Sequence, residues 1–347
     1  MEEEKKLYPF KFSVIEDVFP WGTETYHLAD LGWKESAVKN GWLTFNTLDE
    51  VMDMYMDRVT GEEVFAWYGR QFPVGVKVLD VTGRTPLVVH PDDGTAEQRY
   101  DSLGKSKLWY ILDAASGADI SIGFCRDTDA SQVVGKCGDC SVSDILNHTK
   151  PRKGDCFLIR PGTVSSASGK VKILEISEAS ALDFCLCAWG GEVGEDEFDP
   201  SLTIVEALDF IDYKASPVTR VSGAELAREQ EFKVTKIDLP EPLQIKSPEG
   251  GSFAVYTCIK GEAVIEAPKG EDIEKCVVSA GGSVLVPAEM SEFYLIPAKE
   301  GTVLLETMVQ RETDEDAYID PSAEPLLPED EGEEYKFNSI YGRFSKN

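Results

Sequence analysis

The stretch Gly154-Asp155-Cys156-Phe157-Leu158-Ile159-Arg160-Pro161-Gly162-Thr163 decides the fold. A glycine turn leads into a short apolar run, and a Pro-Gly turn closes it. The run is too short for a helix and is punctuated at both ends, so it reads as a strand. The same layout returns in Gly281-Gly282-Ser283-Val284-Leu285-Val286-Pro287-Ala288. Each fits the second half of a jelly roll. Working outward, residues 74–81, 107–113, 119–124 and 171–176 are rich in β-branched and aromatic residues and bounded by Gly, Pro and Asp. A second β-rich block spans 232–311, where 253–265 alternates around Lys260-Gly261-Glu262. Helical signals are few. Residues 47–59 open with Thr47 and Glu50 spaced as a capping box, and 141–147 is a second candidate. Short turns of helix are expected within 202–210 and 223–228. These read as lids and connectors in an all-β protein of two tandem units, 1–205 and 206–311, followed by a tail from 312 to 347.

Composition limits what such a chain does. With 347 residues, 42% of them hydrophobic, it has the means to bury real cores. A net charge of −29 argues against nucleic-acid or anionic-membrane partners, which need a basic surface. A phosphorylated small molecule would need a local positive patch. No run reaches the roughly 20 apolar residues of a membrane span, and Met1-Glu2-Glu3-Glu4-Lys5-Lys6 lacks a signal-peptide core, so a cytoplasmic location is expected. Between Glu312 and Glu334 lie eleven acidic residues, no basic ones and three prolines, the composition of a solvated tail.

Eight cysteines in a chain of this size are expected to be reduced. Cys137-Gly138-Asp139-Cys140 is half of a zinc clip or a redox dithiol, but no second pair stands at zinc-ribbon spacing. Two thiols in a turn is the plainer reading. Cys185 and Cys187, two apart on an expected strand, share a face and read as small buried residues.

The motifs that carry chemistry are Leu87-Val88-Val89-His90-Pro91-Asp92-Asp93, Gly104-Lys105-Ser106-Lys107 and Pro161-Gly162-Thr163. With Trp21-Gly22, Trp33, Ser36, Phe72-Pro73, Leu174-Glu175 and Ala207-Leu208-Asp209-Phe210-Ile211, they fall in an order that resembles the class I mannose-6-phosphate isomerases, zinc enzymes of the cupin superfamily. The resemblance covers most of residues 8–311 and implies tandem cupin-like jelly rolls with a small helical insertion. It also implies interconversion of mannose 6-phosphate and fructose 6-phosphate through an enediolate. The family's four zinc-ligand positions correspond here to Val88, His90, Lys107 and Ser165, so only His90 retains a ligand, and the position of its catalytic Arg reads Cys185.

Zinc requires four donors from Cys, His, Asp, Glu or a polar amide. Val88 offers none, and Lys107 places a positive charge where a carboxylate should be. Replacing attraction by repulsion a few ångströms from the ion is worth several kcal/mol at an effective dielectric of roughly 20. No cofactor and no metal site is therefore expected, although a rebuilt site could recruit Asp92, Glu175, Cys185 or Cys187. The second unit contains no histidine and reads as structural. Two functions remain open. One is a zinc-free homologue that binds a sugar phosphate or carbohydrate, through His90, Asp92 and Lys105, without the usual catalysis. The other is an active isomerase working through Lys105 and Glu175, with His90 or Asp92 as alternative bases. A homo-oligomer is compatible with either.

Overall fold

The structure, a computed structural model, describes residues 5–189, 204–248, 250–271 and 273–310, together with the paired strands Tyr335–Phe337 and Phe344–Lys346. Residues 312–334, the body of the expected acidic tail, lie outside the described residues. The chain divides into two compact units, and both are β-sandwiches.

The first unit comprises Val14–Leu31 and Val74–Ser222. Its larger sheet has six antiparallel strands in the spatial order Ile15–Phe19, Gly22–Leu28, Val74–Val81, Val171–Glu178, Lys107–Ala114, Cys156–Ile159. The smaller runs Phe184–Cys187, Leu87–Val89, Ser165–Ser168, Asp119–Phe124, Leu146–Thr149. Trp21, Leu79, Val81, Trp109, Ile111, Ile120, Phe157 and Ile173 form a core shared by the two sheets. Each such side chain contributes about 1.5–3 kcal/mol by leaving water, which is why the strands alternate as they do. A second cluster, including Leu87, Phe124, Val133, Ile145 and Phe184, packs helix Ala130–Gly138 against the smaller sheet.

The second unit comprises Met1–Ser13, Gly32–Pro73 and Gly223–Asn347. One sheet orders Glu225–Arg228, Lys233–Leu239, Thr302–Met308, Ala254–Lys260, Ser283–Val286; the other Leu243–Lys246, Glu292–Pro297, Glu262–Glu266, Cys276–Ser279. Tyr256, Phe293, Leu295 and Leu304 are among its buried core. The expected capping box is present: Thr47 accepts from the Glu50 N–H, Glu50 accepts from the Thr47 N–H, and helix Leu48–Tyr55 follows.

Three expectations change. The boundary at residue 205 does not divide the units. Residues 206–222 belong with the first, where Val221 and Asp212 donate to the Cys156 and Gly162 carbonyls. The N-terminal segment and the helices within residues 48–68 belong with the second, because Phe10 exchanges two hydrogen bonds with Leu285 and Ala288 donates to the Val59 carbonyl. Residues 225–228 form a strand, paired with Lys233–Leu239, where a turn of helix was expected. Helices Glu62–Tyr68, Asp93–Tyr100 and Ala130–Gly138 are additions to the expected elements.

Candidate functional site

The three motifs meet within the first unit. His90 follows strand Leu87–Val89, Pro91 ends the pairing, and Asp92 caps helix Asp93–Tyr100 by accepting from the Thr95 N–H at 2.7 Å. Asp92 is exposed and spent on the cap, so it does not join the other expected substrate-binding residues. Gly104 lies so close to Pro91–Asp93 that a Cβ would approach the Asp92 carbonyl carbon to 2.5 Å. That contact lets Gly104 donate to the Asp93 carboxylate and Lys105 donate to the Pro91 carbonyl. From the third motif, Gly162 donates to the His90 carbonyl. Lys105 and Lys107 are two apart at the start of strand Lys107–Ala114, and both enter the same buried region.

Around His90 both ring nitrogens are engaged. Nε2 lies 2.9 Å from the Lys107 ammonium, which has only protons to give, so the imidazole accepts there. The ring proton therefore sits on Nδ1, 3.0 Å from the Leu182 carbonyl and 2.9 Å from Asp183 Oδ1. The same Asp183 oxygen receives Lys105 at 2.8 Å. A second group adjoins it. Glu175 stands between Lys77 and Trp109 in the register, accepts the indole N–H at 2.6 Å and meets the Lys77 ammonium at 3.5 Å. Lys77 also reaches both oxygens of Glu24, which accepts from Tyr26.

The charges balance: Lys77, Lys105 and Lys107 against Glu24, Glu175 and Asp183, with His90 neutral. Burial would raise the Glu175 carboxyl, but the lysines outweigh it and hold the group at about 2. Asp183, half-buried, likewise stays well below the carboxylate range, chiefly through Lys105 and His90. Burial would lower Lys77, yet Glu175 and Glu24 hold it well above the usual lysine value. For His90, burial and then Lys107 act together and lower it to about 4. Burial lowers Lys107 to about 8, with carboxylates opposing.

The donors do not fit a zinc ion. Val88 pairs directly with Ser165, and Val88 with Cys185, so these positions do converge in one row of the smaller sheet. The row offers a side chain with no donor, a hydroxyl that is buried without a hydrogen-bond partner, and the single thiol of Cys185. The imidazole nitrogen a metal would use faces an ammonium instead. An aliphatic group, an imidazole, an ammonium and a hydroxyl do not make the four-donor set that zinc requires.

His90, Lys105 and Glu175 are thus brought into one buried region of the first unit. Asp183, Lys77, Glu24, Tyr26 and Trp109 were missed. Lys77 had a signal, a charge on the inward phase of the strand Val-Gly-Val-Lys-Val-Leu-Asp-Val; Asp183 had none, because the segment around it aligns on the family's Arg.

No sequence-family profile matches the chain. Mannose-6-phosphate isomerase ManA of Bacillus subtilis is 26% identical over 271 residues, covering 75% of this chain and 82% of that protein. Among solved structures, the mannose 6-phosphate isomerase from Bacillus subtilis superposes with a TM-score of 0.72 at 20% identity, over 87% of this chain and 99% of that one. A phosphomannose isomerase variant from Salmonella typhimurium gives 0.68 at 14% identity, over 88% and 100%. These structural likenesses establish the fold. With sequence similarity running through most of their length, the chain is similar to the mannose-6-phosphate isomerases in both sequence and fold.

Proposed function

We propose that this chain is a zinc-independent member of the mannose-6-phosphate isomerase family that binds a sugar phosphate without catalysing aldose–ketose isomerisation. The observation that carries this reading is the Lys107 ammonium at 2.9 Å from His90 Nε2. Isomerisation needs a base whose pKa lies near the working pH, to carry a proton between adjacent carbons, and a fixed positive charge for the enediolate. Glu175 at about 2 and His90 at about 4 are weak bases and both already accept hydrogen bonds, while Lys107, lowered to about 8, gives a proton to the His90 ring. Lysines remain as the groups that favour an anionic sugar, against the repulsion of a strongly acidic chain. Asp183, one-third exposed, is the group of the network open to a sugar hydroxyl.

The test is mannose 6-phosphate in heavy water with the purified protein, followed by NMR for deuterium at C2 and for fructose 6-phosphate, with and without added zinc, beside a calorimetric titration. Binding that weakens in Lys105→Ala, with no exchange in either condition, is the expected result. Zinc-dependent turnover would sink the proposal. Turnover that survives chelation would favour the other reading, an isomerase working without metal.

A further inference from the structure

Asp119 opens strand Asp119–Phe124, and His148 lies on the neighbouring strand Leu146–Thr149, at one edge of the smaller sheet of the first unit. Ser121 stands opposite His148 in the antiparallel register, so Asp119, two residues earlier, is a diagonal neighbour on the same face. Its Oδ2 lies 2.5 Å from His148 Nδ1. The one-turn 3-10 helix Val142–Ile145 directly precedes the edge strand and brings Ser143 to the other end of the ring, with Oγ 3.2 Å from Nε2. Arg84 donates to the same Oγ from 3.3 Å, and its guanidinium stacks on Trp189 at 3.1 Å from the ring centroid.

The proton positions follow from the partners. A carboxylate has no proton to give, so the ring carries one on Nδ1 and donates it to Asp119. Ser121 Oγ, 3.3 Å from Nδ1, and the Lys150 ammonium, 3.5 Å from Asp119 Oδ1, complete that end. Nε2 is then the accepting nitrogen of the neutral ring. Arg84 only donates to Ser143 Oγ, which leaves the hydroxyl proton free to point at Nε2. The Ser143 carbonyl, 3.0 Å from Nε2, accepts from the Leu146 N–H and is in place to accept from the ring as well once it is charged. The His148 side chain is 39% exposed and Ser143 is half-buried, so a small molecule reaches the hydroxyl, while Asp119 is more covered. A histidine that merely ties a loop to a strand needs two partners; it does not need a cation on the serine oxygen. Hydroxyl, imidazole and carboxylate in this order are the arrangement that acyl transfer uses on unrelated folds.

We propose that Ser143, His148 and Asp119 form a second active site, separate from the His90 network, that hydrolyses small carboxylic esters. Ser143 Oγ attacks the ester carbonyl carbon as its proton passes to His148 Nε2, and the carbonyl π pair moves onto oxygen. The Arg84 guanidinium, held in place by the Trp189 ring, is the positive charge beside that oxyanion. Collapse breaks the bond to the alcohol, which leaves with the proton from Nε2, and Ser143 keeps the acyl group. Water then gives a proton to Nε2 and attacks the acyl carbon; the acid leaves and the proton returns to Oγ. Asp119 acts through His148 by fixing its tautomer, so it is a positioning residue. The flanking groups are charged or polar apart from Trp189, which suits a short acyl chain such as acetyl.

The test is full-length protein treated with a fluorophosphonate and mapped by mass spectrometry, beside turnover of p-nitrophenyl acetate. The expected result is one label per chain, on Ser143, and a burst of p-nitrophenolate followed by steady turnover. Ser143→Ala, which removes a single half-buried oxygen, should lose the label and at least about 100-fold in kcat/KM, and His148→Gln about as much. Asp119→Asn should lower kcat and leave KM unchanged, a split that a loosened strand edge would not produce. Urea unfolding run on each variant separates lost chemistry from lost fold. No label on Ser143, a label on Ser121 instead, labelling as fast in His148→Gln as in the wild type, or turnover that persists in Ser143→Ala would each overturn the proposal. Lys105→Ala, the variant that tests sugar-phosphate binding, should label like the wild type, so the two readings fail separately.

Discussion

Replacing Lys107 by methionine removes a buried charge while nearly keeping the side chain's length, and the group that should respond is His90. In the wild-type chain the imidazole is held to about 4, against an ordinary 6.5. That gap corresponds to about 3 kcal/mol disfavouring the imidazolium. Burial is the largest cause and survives the substitution; the Lys107 charge is the next, acting across 2.9 Å, and does not. Asp183, which favours the charged ring, also remains. His90 in Lys107→Met should therefore titrate between about 5 and 6, still below a free histidine because desolvation persists. The linkage sign follows. A histidine whose folded value is depressed binds fewer protons than it does unfolded between the two values, so its stabilising contribution is present above 6.5 and is lost as pH falls through the folded value. The acid-side loss from His90 should shrink from about 3 kcal/mol in the wild type to about 1–2 kcal/mol in the variant. The assay is an NMR titration of the imidazole Cε1–H signals, with His27 and His148 assigned by substitution and urea unfolding run in parallel. A His90 that stays at or below its wild-type value in Lys107→Met would refute the assignment of Lys107 as a cation held against Nε2.

Four further outcomes follow from the same network. The wild-type protein should lose stability again as pH falls from 4.5 through about 2, by about 3 kcal/mol from Glu175, whose folded value is depressed, as acid denaturation curves would reveal. Glu175→Gln at pH 7 should cost about 3 kcal/mol in urea unfolding, since it leaves the Lys77 and Lys107 charges short of a buried partner. Asp92→Ala should cost about 1 kcal/mol through loss of the helix cap and leave sugar-phosphate affinity unchanged in calorimetry. The triple variant Val88→Gln, Lys107→Glu, Ser165→His should retain about one zinc per chain by elemental analysis, where the wild type retains none, because it supplies the missing donors around His90.

What the sequence made legible was the chemistry carried by local patterns, and the limits of that legibility have physical causes. The strand Cys156–Ile159 could be read from its turns, and its closing Pro161-Gly162 does fix His90 by a backbone bond. The capping role of Asp92 was not legible, because an aspartate before a helix serves two purposes and nothing in its neighbours separates a cap from a ligand. The compensation of charge was not legible at all: Glu24, Lys77, Glu175 and Asp183 come from four separate segments, and only the antiparallel register brings Lys77 opposite Glu175. This has a consequence for how the site is understood. A lone Lys107 in place of a carboxylate looks like damage. Set among three carboxylates that offset three lysines, with a neutral imidazole accepting its proton, it is a satisfied part of a buried polar network, and such networks tolerate the loss of a single member poorly. Lys107, Asp183 and Glu175 should therefore resist single substitution strongly, each because its loss leaves a buried charge without its partner.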